Sequence, residues 1–375
     1  MAYAVQYSQN LAIRLPYPTQ IARKFASHQP VVIDDPGILD VLAKYDFRFT
    51  GPVSELQVDK RNKSWIIETT QGEKILKRYS AKIKLEEIRY EHSIMNHLAK
   101  VDFPASHPTL TRDGSSFVEH EGRQFAIYEY LDGYAKFYDS IVIPSPINRF
   151  LSAEGKTLGA LHHALKDFIP VGKSLNGSLS ISSAEGRPIS YYLSLLEQNF
   201  EESVSLLNQK TNAFMTSLCE QAEWIAEKFK DTERTLKDAV LKQQVIHGDF
   251  GPHNILIRSG HPVVVIDFEF ARLDSRLVDL AAALTTSIRS RFGFSLHRSR
   301  QIIAGYQAAN PLTEEELCLL PHVWQFYALR RITSSWAWFL KDGKQEHLSE
   351  TNKRLAMLKW VDQNHQAISD LNWLR

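Results

Sequence analysis

Four side chains suited to phosphate chemistry crowd into one short stretch. His247, Asp249, Asn254 and Asp267 fall within Val-Ile-His-Gly-Asp-Phe-Gly-Pro-His-Asn-Ile-Leu-Ile (245–257) and Val-Val-Val-Ile-Asp-Phe (263–268). Residues 255–257 and 263–266 are apolar and largely β-branched, and Arg-Ser-Gly-His-Pro between them supplies turn residues, so the pattern predicts an antiparallel hairpin. Asp249 then stands on the loop entering the first strand, Asn254 at that strand's start and Asp267 at the end of the second. A loop carboxylate, an amide and a second carboxylate in this order suit kinase-style phosphoryl transfer. Asp249 would orient an attacking hydroxyl and accept its proton; Asn254 and Asp267 would hold Mg2+, which prefers oxygen ligands and bridges the phosphates of ATP.

Asp249-Phe250-Gly251 spells the metal-binding tripeptide of protein kinases, but that tripeptide belongs at the end of the hairpin's second strand, where this chain has Asp267-Phe268-Glu269. Position outweighs spelling. Taken together, His-Gly-Asp-Phe-Gly-Pro-His-Asn (247–254), Ile-Asp-Phe-Glu-Phe-Ala (266–271) and Asp-Leu-Ala (279–281) resemble the aminoglycoside phosphotransferase and choline kinase superfamily. Three motifs in order and spacing form a specific signal. The resemblance implies an α+β, protein-kinase-like bilobal fold: a small antiparallel β-sheet lobe with one helix, then a larger, mainly helical lobe. It also implies an ATP- and Mg2+-dependent kinase acting on a hydroxyl of a small molecule. His247 is read as structural, its imidazole bonded near the Asp267 loop. Asp279 opens a helix, where a carboxylate is favourable with the dipole, and in the family it steadies the catalytic loop. A transition-metal site of His247, Asp249 and His253 is the competing reading, and no further His or Cys cluster supports it.

The elements that must position these groups come earlier. Residues 51–79 alternate and are punctuated by turns, which predicts a meander of about three strands. In the third, Ile75, Lys77 and Tyr79 share the inward face by the period of two, while Lys74 and Arg78 point the other way. Residues 84–98 read as a helix with Ile88, Met95 and Leu98 on one stripe, and Glu91 falls on that stripe. A strand lysine paired with a helix glutamate positions ATP phosphates in kinase folds. The loop at 59–64 has no glycine; the resemblance matches Asn62, Ser64 and Trp65 to the residues that replace one, and leaves a catalytically weak nucleotide-binding or scaffold protein as an alternative. Residues 125–133 resemble the hinge between lobes, with backbone groups from Glu129 to Leu131 meeting adenine. The expected organisation is 1–45 extension, 46–131 nucleotide-binding lobe, 132–375 catalytic and acceptor-binding lobe.

Composition sets outer limits. The chain of 375 residues is 43% hydrophobic and 23% charged, with 44 Lys plus Arg against 43 Asp plus Glu. With that balance nothing global argues for nucleic acid or an anionic membrane, and neither is expected as a partner. No apolar run reads as a signal peptide or membrane span. The two cysteines, Cys219 and Cys318, offer no disulfide framework and are read as buried thiols of a cytoplasmic protein. Residues 34–46 suggest a short helix; residues 153–165 form another, with small residues for close packing and with His162 and His163 diverging. Thr313 and Glu316 mark a capped helix start, followed by an aromatic band at 324–339 that reads as core. A protein Ser/Thr acceptor finds no support in an activation segment. Arg289, Arg291, Arg298 and Arg300 lean toward an anionic small-molecule acceptor, or form a solvated helix end. Oligomeric state is not legible.

Overall fold

The computed structural model describes residues 36–56, 62–131, 144–174, 187–208, 212–237, 239, 241–258, 261–290 and 293–370. The expected nucleotide-loop residues 59–61, Arg291 and most of the 170–188 loop lie outside them. Helix α1 (Pro36–Leu42) leads into a five-stranded antiparallel sheet ordered β1-β2-β3-β5-β4. Its strands are β1 (Phe49–Leu56), β2 (Lys63–Thr69), β3 (Gly72–Arg78), β4 (Val118–His120) and β5 (Arg123–Glu129). Register places Lys77 opposite Ser64 of β2 and Ala126 of β5. Cross-strand partners share a face. Helix α2 (Leu85–Lys100) covers that face, packing Ile88 against Tyr79 and Ala126.

The opposite face is equally dry. Ile38, Val41 and Leu42 of α1, with Tyr45 and Phe47, pack on Trp65, Ile67, Leu76, Phe125 and Ile127. This roof corrects the expectation for Lys74. Its side chain is buried rather than solvated, its Nζ 2.6 Å from Glu129 Oε1 and 5.5 Å from the centre of the Phe47 ring. Alternation assigns a side chain to a face, but only tertiary packing decides whether the face meets water. The segment at 36–45, read as part of an extension, thus shares the core of the sheet.

The second lobe is mainly helical: α3 (Pro144–Ala164), α4 (Ile189–Leu207), α5 (Ala213–Cys219), α6 (Ala222–Leu236), α7 (Arg276–Ser287), α8 (Leu296–Ala309), α9 (Glu314–Asp342), α10 (Gln345–Gln363) and α11 (His365–Ser369). Between α6 and α7 lie two strand pairs. β6 (Gln243–Ile246) pairs with β9 (Arg272–Ser275), and β7 (Ile255–Arg258) with β8 (His261–Val265). After α7 comes the short pair β10 (Arg289–Ser290) and β11 (Gly293–Phe294). The α9 start carries the expected capping box, with Glu316 N–H donating to Thr313 Oγ1 at 3.1 Å and Thr313 N–H to Glu316 Oε2 at 2.8 Å. Its aromatic band is core except for Trp338, which is 47% exposed. The cysteines depart from expectation: Cys318 is exposed and Cys219 half-buried, because neither lies on its helix's fully packed stripe. Among the described residues no helix is long and apolar enough to cross a membrane.

Two features lock this lobe around the hairpin. Tyr90, Ile94, Met95 and Leu98 of α2 join the same core as Ile255, Val265 and Leu280, so the helix belongs to both lobes. Val265 N–H also donates to Pro104 O, and Ser106 N–H to Val265 O, each at 2.9 Å, stitching the segment after α2 to β8. Helices α3 and α8 meet backbone to backbone. A Cβ on Gly155 would stand 2.0 Å from Ile302 O, and one on Gly305 2.0 Å from Ser152 O. Neither carbonyl can retreat without breaking its helix, so Gly155→Ala and Gly305→Ala should each destabilise by about 1–3 kcal/mol as overpacking. The reading is a lowered urea midpoint at unchanged slope.

Candidate active site

The loop after β6 is built around a buried carboxylate. Asp279, fully buried in the first turn of α7, accepts His247 N–H on Oδ2 at 2.7 Å and Gly248 N–H on Oδ1 at 2.8 Å. His162 of α3 adds Nε2 at 3.1 Å to Oδ2, and its Nδ1 lies 2.8 Å from Tyr306 Oη on α8. Burial works to raise the Asp279 carboxyl, but the hydrogen bond and charge of His162, with the charge of Arg272, outweigh it and hold the group below the usual carboxylate range. Gly248 has φ 83°, and a Cβ there would stand 2.0 Å from Phe270 O. Only glycine fits so tight a left-handed turn. Buried Arg272 braces it from behind, reaching Gly248 O at 3.4 Å and Phe270 O at 3.2 Å while paired with Asp274 at 3.2 Å.

Asp249 follows on the cleft side, with 41% of its side chain exposed. Asn254, buried in a 3₁₀ turn (Pro252–Asn254), donates through Nδ2 to Asp249 O at 3.0 Å and Oδ2 at 3.3 Å. His253 Nε2 lies 3.3 Å from the same Oδ2. Desolvation works to raise the Asp249 carboxyl; the hydrogen bond and charge of His253, helped by Arg331, prevail and keep it lowered. Asp249 is therefore ionised at neutral pH.

Asp267 is held through its neighbour. The Ile266 N–H donates to Asn254 O at 3.1 Å, and Ile266 O accepts from His247 Nε2 at 2.9 Å. Both backbone groups being engaged, the chain enters Asp267 in the left-handed region, φ 66° and ψ 69°. For a residue with a Cβ that costs roughly 1–2 kcal/mol. Across the cleft, Lys77 Nζ stands 3.7 Å from Glu91 Oε1, both side chains buried, and 4.8 Å from the centre of the Tyr79 ring. Burial pushes the Glu91 carboxyl up; Lys77 opposes the shift and the Asp267 charge adds to it. Asp267 is thus close enough for its charge to bear on the pair. Tyr79 Oη reaches Glu91 Oε2 at 3.5 Å and is fixed by His92 Nε2 and Tyr128 Oη, each at 2.8 Å.

The remaining expected residues divide. Ser64 lies across the ladder from Lys77 on the same face. Asn62 is buried, and its Oδ1 accepts Ser80 N–H at 3.0 Å, which braces the turn after β3. Glu129 ends β5 and Leu131 is the last described residue before 144; Tyr130 N–H donates to Glu73 O at 3.3 Å. Among the described residues no three His, Cys, Asp or Glu side chains converge as a metal site, so the transition-metal reading of His247, Asp249 and His253 finds no support. His162, Arg272 and Arg331 escaped sequence reasoning. Each acts through helix or strand packing that no local motif marks.

A family model described as "Phosphotransferase enzyme family" matches residues 53–317. The chain is 27% identical over 296 residues to a homoserine kinase of Phenylobacterium zucineum, covering 78% of this chain and 82% of that one. It is 28% identical over 270 residues to a homoserine kinase of Methylobacterium nodulans, covering 72% and 75%. Among solved structures, an aminoglycoside phosphotransferase of Alicyclobacillus acidocaldarius superposes with TM-score 0.61 at 18% identity, covering 91% and 98% of the two chains. An amicoumacin kinase in complex with AMP-PNP and Ca2+ gives 0.60 at 14%, covering 91% and 97%.

Replacing Asp279 tests the loop's foundation. Asp279→Asn keeps the shape but weakens bonds made to a charge, and should cost about 2–3 kcal/mol at pH 7. Because the folded-state value is depressed, the ionised group's contribution is complete above the unfolded value of about 3.9 and vanishes as pH falls through the folded one. Urea midpoints of the two proteins should therefore converge below about pH 4.

Proposed function

Because the chain belongs to the phosphotransferase enzyme family, whose model spans residues 53–317, we propose that it is an ATP- and Mg2+-dependent kinase that moves the γ-phosphate to a hydroxyl of a small-molecule acceptor. The observation that carries this reading is the meeting of Asp249, Asn254 and Asp267 on one hairpin opposite the buried Lys77–Glu91 pair. Asp249 takes the proton of the acceptor hydroxyl as its oxygen bonds to the γ-phosphorus and ADP leaves. Being ionised, it is ready as a base and needs no prior deprotonation.

The residues present fit Mg2+. Asn254 and Asp267 offer hard oxygen donors, which suit a divalent cation beside nucleotide phosphates. Magnesium in such sites takes one or two protein ligands and shares the rest with phosphate and water, so Asn254 and Asp267 would suffice. When bound it would neutralise charge on the transferring phosphate. Lys77, positioned by Glu91 and Tyr79, would contact the phosphates; Ser64 lies on the same face, and backbone groups from Glu129 to Leu131 would meet adenine. His247 and Asp279 support the loop without touching substrate. We place the reaction in the cytoplasm, where ATP is plentiful and unpaired thiols such as Cys219 and Cys318 persist.

A protein Ser/Thr acceptor is disfavoured by the short path from Asp267 through a 3₁₀ turn (Phe268–Phe270) and β9 into α7, which leaves no long activation segment. The similarity to homoserine kinases makes L-homoserine the first acceptor to assay. ADP release with ATP and Mg2+ should be stimulated by one hydroxylated metabolite of a panel. Asp249→Ala should lower kcat by about 10²–10⁴ while retaining nucleotide affinity. Failure of the native protein to bind ATP with Mg2+ would sink the kinase reading.

A further inference from the structure

A cavity of about 490 Å³ opens in the second lobe between α5, β10 and α10. Phe214 of α5 and Arg289 of β10 form two of its walls, and Leu348, Asn352, Lys353 and Ala356 from one face of α10 form another. Its volume suits a small metabolite. Both ionisable side chains that line it are cations, and no carboxylate lines it. Two acids of α10, Glu346 and Glu350, adjoin lining residues in sequence without lining the cavity themselves, and Glu350 is engaged with Arg354 at 2.5 Å and lies 4.0 Å from Lys353. No carboxylate of the described residues is paired with Arg289. Of the other arginines singled out in the sequence, Arg298 serves to hold this one, donating to Arg289 O at 2.5 Å.

Two connections relate the cavity to Asp249. Helix α7 runs from Asp279, beneath the catalytic loop, to Thr286, whose Oγ1 stands 2.9 Å from where a Cβ of Gly251 would be. Arg289 follows at once from that helix end. On the other wall, the charge of Arg331 bears on Asp249 and also on Glu350, next to the cavity-lining Ser349. One wall of the cavity thus continues from the helix end that abuts Gly251, two residues after Asp249.

Resting on the phosphotransfer reading, we infer that this cavity binds the acceptor, and that the acceptor carries a carboxylate held by Arg289 and Lys353 while its hydroxyl is presented to Asp249. Phe214, Leu348 and Ala356 cover the short carbon chain between the two groups, and the Asn352 amide gives a polar contact of either sense. A polycationic acceptor would meet two like charges here and is rejected.

The test uses compounds that differ only by a carboxylate: L-homoserine against 3-aminopropan-1-ol, L-serine against ethanolamine, and glycerate against ethylene glycol. Binding is measured by titration calorimetry to the native chain and to the Arg289→Ala, Lys353→Ala double variant, with ATP–Mg2+ affinity and urea midpoint determined on both. At least one carboxylate compound should bind the native chain tenfold or more tightly than its partner, and the double variant should lose that preference with ATP affinity and midpoint unchanged. No preference in any pair, or a preference that survives both substitutions, overturns the inference. Intact ATP binding in that case leaves the kinase reading standing; its absence in the native chain would strike that reading instead.

Discussion

Everything in the catalytic loop depends on one buried charge. Taking a carboxylate out of water costs several kcal/mol unless hydrogen bonds replace its hydration, and Asp279 has three: two backbone amides of the loop and the imidazole of His162. The same bonds that keep the charge tolerable fix two successive amides of the turn. Because His162 leans on Tyr306, the carboxylate also ties α3, α7 and α8 together. The helices are thereby pinned at the point where α3 and α8 already touch through glycine. A loop that must present Asp249 without drifting is in this way anchored to the close contact between α3 and α8.

The two lobes are coupled by backbone and by charge. Helix α2 contributes side chains to the sheet on one side and to the hairpin core on the other. The segment after it adds hydrogen bonds to Val265, two residues before Asp267. Glu91 of the same helix feels the Asp267 charge while paired with Lys77. Moving α2 would therefore disturb both sides of the cleft together. The pair is buried, where partial loss of one member is far more damaging than at a surface, and the Tyr79, His92 and Tyr128 cluster resists such movement from behind.

What the sequence disclosed follows from range. Asp249, Asn254 and Asp267 were legible because a single hairpin sets their spacing, and turn and strand chemistry are local. Lys77 and Glu91 were legible because two periodicities, of two and of 3.6, each placed a charge on an apolar face. Lys74 was misread because alternation presumes one wet face, and the roof over the sheet comes from α1 and Phe47. His162 stood beside His163 with nothing local to separate them; only α3 packing turns one toward Asp279, 117 positions away. Arg272 reads as an ordinary strand charge until Gly248 O and Phe270 O are seen to converge on it. The family resemblance named the loop-steadying carboxylate, but no motif named the groups that keep it ionised.

The repeated Asp-Phe spelling has a physical account. Phe250 and Phe268 are both fully buried, and both pack on His247, with ring centres 5.9 Å and 4.8 Å from the imidazole. Each therefore plugs the same core from a different strand end and fixes the aspartate that precedes it. His247 is itself fixed, Nε2 donating to Ile266 O and Nδ1 accepting Asp249 N–H at 3.4 Å, a pattern that defines one tautomer. The imidazole thus joins the backbone beside one aspartate to the backbone beside the other. The strained Asp267 conformation persists because relaxing it would withdraw Phe268 from the core and release the Ile266 peptide at both ends. Burial of an aromatic side chain is worth more than the roughly 1–2 kcal/mol of left-handed strain. Two similar dipeptides therefore serve different ends: an anchored phenylalanine in each leaves one aspartate open on the cleft and holds the other at the end of the hairpin, within reach of the charge on Glu91.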